Sequence, residues 1–366
     1  MAKDNDSAHA LQGRLLWSPA SVAATRIDAF RARIEQAHGP GIAHDYHALW
    51  RWSCAHPHLF WEAVWHEVGI IASTPYASVL ADTHAPIYPP PRWFEGARLN
   101  IAQNLIERHI DANPDGIALI ECAEAAQGVQ PSFTTLQQLT WAQLRARVAR
   151  TARALRRRGV RKGDTVAVYG ANCVMTTVAF LASAALGAVF VSAAADFAEA
   201  GTLERLRTVR PKVLFGVNAV RYNGKVLDHI AKLRAVVQGL DAQRAPEEQA
   251  LELTVLSELV SEHAGAKEAC AQPGWISFDD FLSEGEGAGD EGDHIEYEQL
   301  DFNHPVWILF SSGTTGTPKA ITHRAGGMLL QLAKEHLIHG GLSPKDVFFR
   351  EYTCQAVVSS DNKSEC

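Results

Sequence analysis

Cysteine is sparse and scattered: six residues (Cys54, Cys122, Cys173, Cys270, Cys354, Cys366) in a chain of 366, with no C-x-x-C pair. That spacing excludes a disulfide-framed secreted domain and a zinc site built on paired thiolates, and it predicts reduced thiols in a cytoplasmic protein. The sixteen histidines form no H-E-x-x-H or comparable cluster, so no metal ligand is assigned. Excess positive charge is missing too. With 34 Lys and Arg against 41 Asp and Glu, the net charge of −7 argues against nucleic acid or an anionic membrane as the main partner. No apolar run reads as a membrane span: the most apolar stretch, Thr176 to Ala195, is rich in Ala and Ser and is broken by Gly187. It reads as a buried helix followed by a buried strand. Met1 to Gln12 lack the apolar core of a signal peptide.

What is present is core-forming material. At 47% hydrophobic and 20% charged, the chain has enough apolar side chains for more than one domain. From Asp45 to Ile71, Phe60/Trp61, Val64/Trp65 and Val68 recur at helical spacing, with Asp45 and His56-Pro57 placed to start helices. A packed helical cap is the reading, with a ligand-binding aromatic box as the alternative. Pro86 to Pro91 give a stiff, extended connector.

An α/β pattern begins near Thr134. Thr140 and Gln143 read as a capping box, Leu144, Val148, Ala152 and Leu155 share one helix face, and Gly159 is placed to end that helix. The arginines between Arg145 and Arg158 read as a solvated face, with phosphate binding as the alternative. Strands are expected at Thr165–Tyr169, Ala188–Ser192 and Val213–Val217, and helices at Val174–Leu186, Thr202–Val209 and Lys225–Leu233. Strands separated by helices imply βαβ units and a mostly parallel sheet flanked by helices. Ser283 to Asp293, acidic and Gly-rich, reads as a surface loop without the fixed ligand spacing of a calcium loop.

The most specific signal is Ser311-Ser312-Gly313-Thr314-Thr315-Gly316-Thr317-Pro318-Lys319, after the apolar strand Val306–Phe310 and before a helical stretch from about Arg324 to Ile338. Two glycines permit a tight turn and close approach to a ligand. Hydroxyls and successive N–H groups can face a polyanion, with Lys319 as a point charge. Such a loop suits the β- and γ-phosphates of ATP. It is not a Walker A loop, because Lys319 lies three residues beyond Gly316 and is followed by Ala320; nor does a G-x-G-x-x-G follow a strand. The plainer alternative is a Ser/Thr/Gly-rich surface loop.

This run resembles the phosphate-binding motif of the acyl-adenylate-forming enzymes. The variant Pro318-Lys319-Ala320-Ile321 with His323 and Gly326-Gly327 is similar to that of the acetoacetyl-CoA synthetases. Trp93-Phe94-Glu95-Gly96-Ala97-Arg98-Leu99-Asn100 with Asn104-Leu105, and Pro211-Lys212-Val213-Leu214-Phe215 with Arg221-Tyr222-Asn223-Gly224-Lys225, resemble further segments of that family. The resemblance runs from about Asp45 to Phe349. It implies a lead segment (1–43), an N-terminal extension of acetyl-CoA synthetase type (44–103), the first part of an AMP-binding domain (104–349) and a divergent tail (350–366).

The activity it implies is acid–thiol ligation: acetoacetate, ATP and CoA give acetoacetyl-CoA, AMP and pyrophosphate through an acyl-adenylate, with Mg²⁺ on the phosphates. Ser311, Ser312, Gly313, Thr314, Thr315, Gly316, Thr317 and Lys319 would bind phosphate, and no catalytic residue is assigned. The family's adenine and ribose motifs, its hinge and its adenylation lysine do not appear, so the chain is expected to be a truncated form, inactive alone. Two alternatives stay open: a non-catalytic remnant that binds phosphate weakly, or another short-chain acyl-CoA synthetase acting on acetate or propionate. At Ala194-Ala195-Asp196-Phe197-Ala198 the chain departs from the family, which tends to have Pro before the Asp and Gly after the Phe.

Overall fold

The computed structural model describes residues 18–84, 86, 88–124, 133–242, 244–286, 293–311, 318–350 and 355–359. The chain divides into two units, residues 1–69 with 330–366, and residues 70–329.

In the first unit the expected helices form where their caps predict. The Asp45 carboxylate accepts the Ala48 N–H at 2.7 Å to start α2 (Tyr46–Ala55), and Pro57 takes the first position of α3 (Pro57–Val68). Gly69, at φ +64, ends α3 in the left-handed region. A further helix, α1 (Arg26–His38), buries Phe30 and Ile34, while α3 buries Val64, Trp65 and Val68. Phe30 meets Phe60 edge-on at 6.1 Å, and Arg33 pairs with both oxygens of Glu67 at 2.9 and 2.6 Å. Phe60 and Trp65 thus serve helix packing.

In the second unit α4 (Ile101–Ala112), α5 (Trp141–Arg157), α6 (Val174–Ala185), α7 (Glu199–Val209), α8 (Ile230–Ala242), α9 (Ala266–Cys270) and α10 (Phe278–Glu284) accompany one main sheet, and α11 (Ala325–Ala333) begins at its end. Its strands are β1 (Thr165–Gly170), β2 (Val189–Ala194), β3 (Val213–Val217), β4 (Leu253–Ser257), β5 (Trp275–Ser277), β6 (Pro305–Phe310) and β7 (Ala320–Arg324). The spatial order is β5-β4-β3-β1-β2-β6-β7, parallel throughout except for the antiparallel edge strand β7. The mostly parallel α/β sheet read from the sequence is therefore present.

Side chains alternate across this sheet as strand geometry requires. Leu214 joins Ala167, Tyr169 and Val191 against Leu206, Leu233 and Val236 of α7 and α8. Phe215, one residue on, meets Phe278 and Phe281 of α10 at 6.4 and 5.7 Å. Next to it, Gly216 leaves no room for a Cβ, which would lie 2.4 Å from Leu233.

Helix α5 carries the predicted capping box: Gln143 N–H donates to Thr140 Oγ1 at 3.2 Å, and Gln143 Oε1 accepts from Thr140 N–H at 2.9 Å. Leu144, Val148, Ala152 and Leu155 are buried, and Gly159 follows at φ +80. Its arginines face carboxylates: Arg145 with Glu107, Arg150 with Glu286, Arg156 with Glu296 and, just past the helix, Arg158 with Glu284. This is the solvated, ion-paired face.

Four readings need correction. Lys225–Asp228 is not helical but a strand paired with Ala219–Tyr222, and α8 begins only at Ile230. The Asn223-Gly224 turn, with φ of +49 and +70, dictates that hairpin. The stretch after the phosphate-loop motif first forms β7, so Arg324 ends a strand and the helix starts at Ala325; its last turn, Lys334–His339, is π-helical. Thr134 lies in the hairpin Ile117–Glu124/Phe133–Thr140, ahead of the first βαβ unit. Ser283 and Glu284 finish α10, while 287–292 of the expected acidic loop lie outside the described residues.

Candidate phosphate-binding site

The β6–β7 hairpin holds the motif. Phe310 pairs with Ala320, and the Ser311 N–H donates to the Lys319 carbonyl at 3.1 Å, closing the base of the connection. Of the predicted residues, the structure places Ser311 and Lys319 at facing ends, with the Lys319 side chain exposed. Ser312, Gly313, Thr314, Thr315, Gly316 and Thr317 lie outside the described residues. Because β6 runs parallel to its neighbour β2, the connection leaves the carboxyl end of the sheet. Doubly wound folds bind their ligands at that end.

Sequence reasoning missed a cation at the end of β6, where this connection begins. The Arg205 guanidinium lies 5.0 Å from the Phe197 ring and 5.9 Å from the ring of Phe310, the last residue of β6. It also donates to the Gly201 carbonyl at 2.7 Å. Two aromatic faces and a backbone acceptor hold its charge in place. The turn at Ala194–Phe197 closes by the Phe197 N–H donating to Ala194 O at 3.0 Å. Tyr169 O–H donates to the Phe197 carbonyl at 2.7 Å, and Lys232 Nζ donates to the carbonyls of Ala195 and Phe197 at 3.1 and 3.3 Å. Beneath it His229 is buried with its ring 4.3 Å from that of Tyr169; among the described residues neither ring nitrogen makes a well-formed hydrogen bond, the Val217 backbone being the acceptor that acts on it. Burial, with Lys232 nearby, pushes its pKa down to about 4.

The segment Trp93–Asn100 owes its composition to packing. Phe94 and Gly96 sit at positive φ (+48 and +88), and Ala97, Leu99 and Asn100 are fully buried. Asn100 Nδ2 donates to the carbonyls of Ala184, Ala185 and Glu298, and its Oδ1 caps α4 by accepting from Ala102 and Gln103 N–H. Asn104 exchanges both amide bonds with the backbone of Ile71. Lys212 of the second segment donates to the Gly159 carbonyl at 2.7 Å, beside Asp164 and Glu252.

At the carboxyl ends of β4 and β5 lies a cavity of about 1100 Å³. Arg147, Arg150 and Lys267 line it together with Glu121, Glu258, Asp279 and Asp280, a mixed set that favours neither sign of ligand. Among the described residues no three His, Cys, Asp or Glu side chains converge to hold a metal ion, and no helix is long and apolar enough to cross a membrane.

Comparison with known proteins agrees with this geometry. The AMP-binding enzyme family matches residues 106–350, and the acetyl-coenzyme A synthetase N-terminus family matches residues 46–105. An acetoacetyl-CoA synthetase of Danio rerio is 37% identical over 95% of this chain and 49% of its own length, and one of Mus musculus is 38% identical over 92% and 47%. A malonamoyl-CoA synthetase of Penicillium aethiopicum is 32% identical over 93% of this chain and 44% of its own. The solved structure of acetoacetyl-CoA synthetase from Streptomyces lividans superposes with a TM-score of 0.75 at 35% identity, covering 91% of this chain and 47% of that one. The chain spans about half the length of the curated relatives it matches. With its mostly parallel sheet, its Ser311–Lys319 hairpin and a match across most of its length, the chain belongs to the AMP-binding enzyme family.

Proposed function

We propose that this chain is part of the carboxylate-activating region of an acid–thiol ligase that makes acetoacetyl-CoA from acetoacetate, ATP and CoA. The observation that carries it is the closure of the Ser311–Lys319 connection at the carboxyl end of the sheet, with Arg205 held nearby. A carboxylate is a poor electrophile, so its oxygen first attacks the α-phosphorus of ATP and expels pyrophosphate. The CoA thiolate then attacks the acyl carbon and AMP leaves. Ser311, Ser312, Gly313, Thr314, Thr315, Gly316, Thr317 and Lys319 hold the β- and γ-phosphates in line and offset the charge that builds on the pyrophosphate. Mg²⁺ enters as part of the Mg–ATP substrate, carried by phosphate oxygens.

The same reading divides the chain into a lead segment (1–43), an extension (44–103), the AMP-binding part (104–349) and a tail (350–366). It also places the protein in the cytoplasm, acting on small molecules, in keeping with its negative charge and scattered thiols. A second acyl specificity has a specific observation in its favour: a malonamoyl-CoA synthetase is similar to this chain across nearly its whole length. Pyrophosphate release by a full-length enzyme carrying this chain, measured with acetoacetate, malonamate, acetate, propionate and butyrate, decides between them. Acetoacetate is expected to give the highest kcat/KM; a preference for acetate would move the assignment.

A further inference from the structure

The connection between β6 and β7 is nine residues long, from Ser311 to Lys319, and among the described residues β7 is an edge strand paired only with β6. A two-residue turn dictates strand register, but a connection of this length does not. Something at the other end of the hairpin must fix it. There Pro305 opposes Arg324 while Trp307 opposes His323, so Val306 is an extra residue on β6, a bulge at the root.

Arg324 stands at that root, and both terminal nitrogens of its guanidinium face acceptors. Nη1 donates to the Pro91 carbonyl at 2.7 Å and to Asn303 Oδ1 at 2.9 Å, and Nη2 lies 3.4 Å from the Pro90 carbonyl. Asn303 is itself fixed, accepting from Trp93 N–H at 3.2 Å and donating to Trp93 O at 2.9 Å. Just beyond, Ala325 N–H donates to the His304 carbonyl at 2.8 Å and Gly326 N–H to the Phe302 carbonyl at 3.0 Å. A Cβ on Gly326 would fall 2.2 Å from the Phe302 ring, so the backbone is pressed against that ring.

We propose that Arg324 is a positioning residue: its fork, closed on Asn303 and the carbonyls of Pro90 and Pro91, sets the register of β7 on β6 and so the offset of Lys319 from Ser311. A one-residue slip moves a strand by about 3.3 Å and turns every side chain to the other face. Positioning errors of about 1 Å already cost roughly 100-fold in rate where in-line geometry matters. Lysine offers one point donor and no fork, so it does not replace arginine here. The consequence for phosphate rests on the function proposed above; the register clamp does not.

The test pairs residue-resolved amide exchange with titration of magnesium pyrophosphate, on the 366-residue chain and its variants. In Arg324→Met the Ser311 amide, which donates to Lys319 O, is expected to exchange at least about tenfold faster while central-strand amides such as Val168 and Val191 keep their protection. The pyrophosphate Kd should rise about tenfold with it. Should Arg324→Met lose protection in the central strands as well, Arg324→Lys decides: faster Ser311 exchange over an intact centre supports the clamp. Unchanged Ser311 exchange in either folded variant overturns it. Lys319→Ala separates the two claims. If it binds pyrophosphate as tightly as the parent, or the parent binds none, the phosphate reading fails and the exchange data still judge the clamp.

Discussion

A hydroxyl or an ammonium that meets a departing pyrophosphate contributes mainly in the transition state, so its loss should register in rate more than in folding. In a full-length enzyme carrying this chain, Lys319→Ala and Thr315→Val are each expected to cost about 2–4 kcal/mol in kcat/KM for adenylation, the range for losing one preorganised donor. Acetoacetate-dependent pyrophosphate exchange measures this, and melting of the same variants should stay within about 1 °C of the parent, since an exposed Lys319 stabilises little. Equal turnover in both would remove the phosphate role from the loop. Arg205 makes a different prediction. Caught between Phe197 and Phe310, it should cost about 1 kcal/mol of stability on replacement by Met, read by urea unfolding, because two cation–π contacts and a bond to Gly201 are lost.

The Ser311–Lys319 run could be proposed as a phosphate loop because its residue types and spacing carry a chemical meaning of their own. Arg205 and Arg324 were not legible. Their roles depend on Phe310, Pro91 and Asn303, and no local pattern in the sequence links residues so far apart along the chain.

Elements were legible wherever burial imposed a period. β1 and β3 are buried along almost their whole length, and α5 shows its apolar stripe, so strand and helix separate cleanly in sequence. Lys225–Asp228 is exposed at all four positions and β7 is exposed or half-buried throughout, which leaves no hydrophobic alternation to read. The Asn-Gly turn was the available signal for the first of these, and the charged, edge-strand composition of Thr322-His323-Arg324 hid the second. Asn100 is the element-scale counterpart of Arg324. It caps α4 and saturates carbonyls at the end of α6, so Asn100→Leu removes a cap and strands buried acceptors together. The expected loss is about 3–5 kcal/mol. Urea unfolding of the 366-residue chain measures it, and a loss below about 1 kcal/mol would mean that water reaches those carbonyls and that Asn100 is not the joint the geometry describes.

On the scale of the whole molecule, βαβ alternation was enough to give the mostly parallel sheet, because strands with helices between them close in few ways. What alternation does not give is where the sheet buries groups it cannot satisfy. His229 is such a group: it lies in the core under Tyr169, with Lys232, Asp228 and Glu199 as the charges around it, and burial is the main reason its pKa falls from 6.5 to about 4. The sign of the pH effect follows. The unfolded chain takes up a proton on this imidazole near pH 6.5, whereas the folded chain resists until about pH 4, so the unfolded state binds more protons across that window. Stability contributed by the neutral ring is therefore complete above 6.5 and is lost as the pH falls toward 4. The loss should amount to ~2 kcal/mol between pH 7 and pH 5, on the order expected for a displacement of this size. His109, stacked 3.9 Å from Trp141, and His304, whose Nε2 lies 2.9 Å from the Gly187 carbonyl, are lowered by burial too and add slope of the same sign. His229→Phe keeps a ring against Tyr169 and removes the titration, so it should flatten the profile while leaving the part due to His109 and His304. Urea unfolding at pH 7, 6 and 5 reads the difference. Parallel profiles for parent and variant would show that the His229 imidazole is reached by water, and that the core at this end of the sheet is wetter than its packing implies.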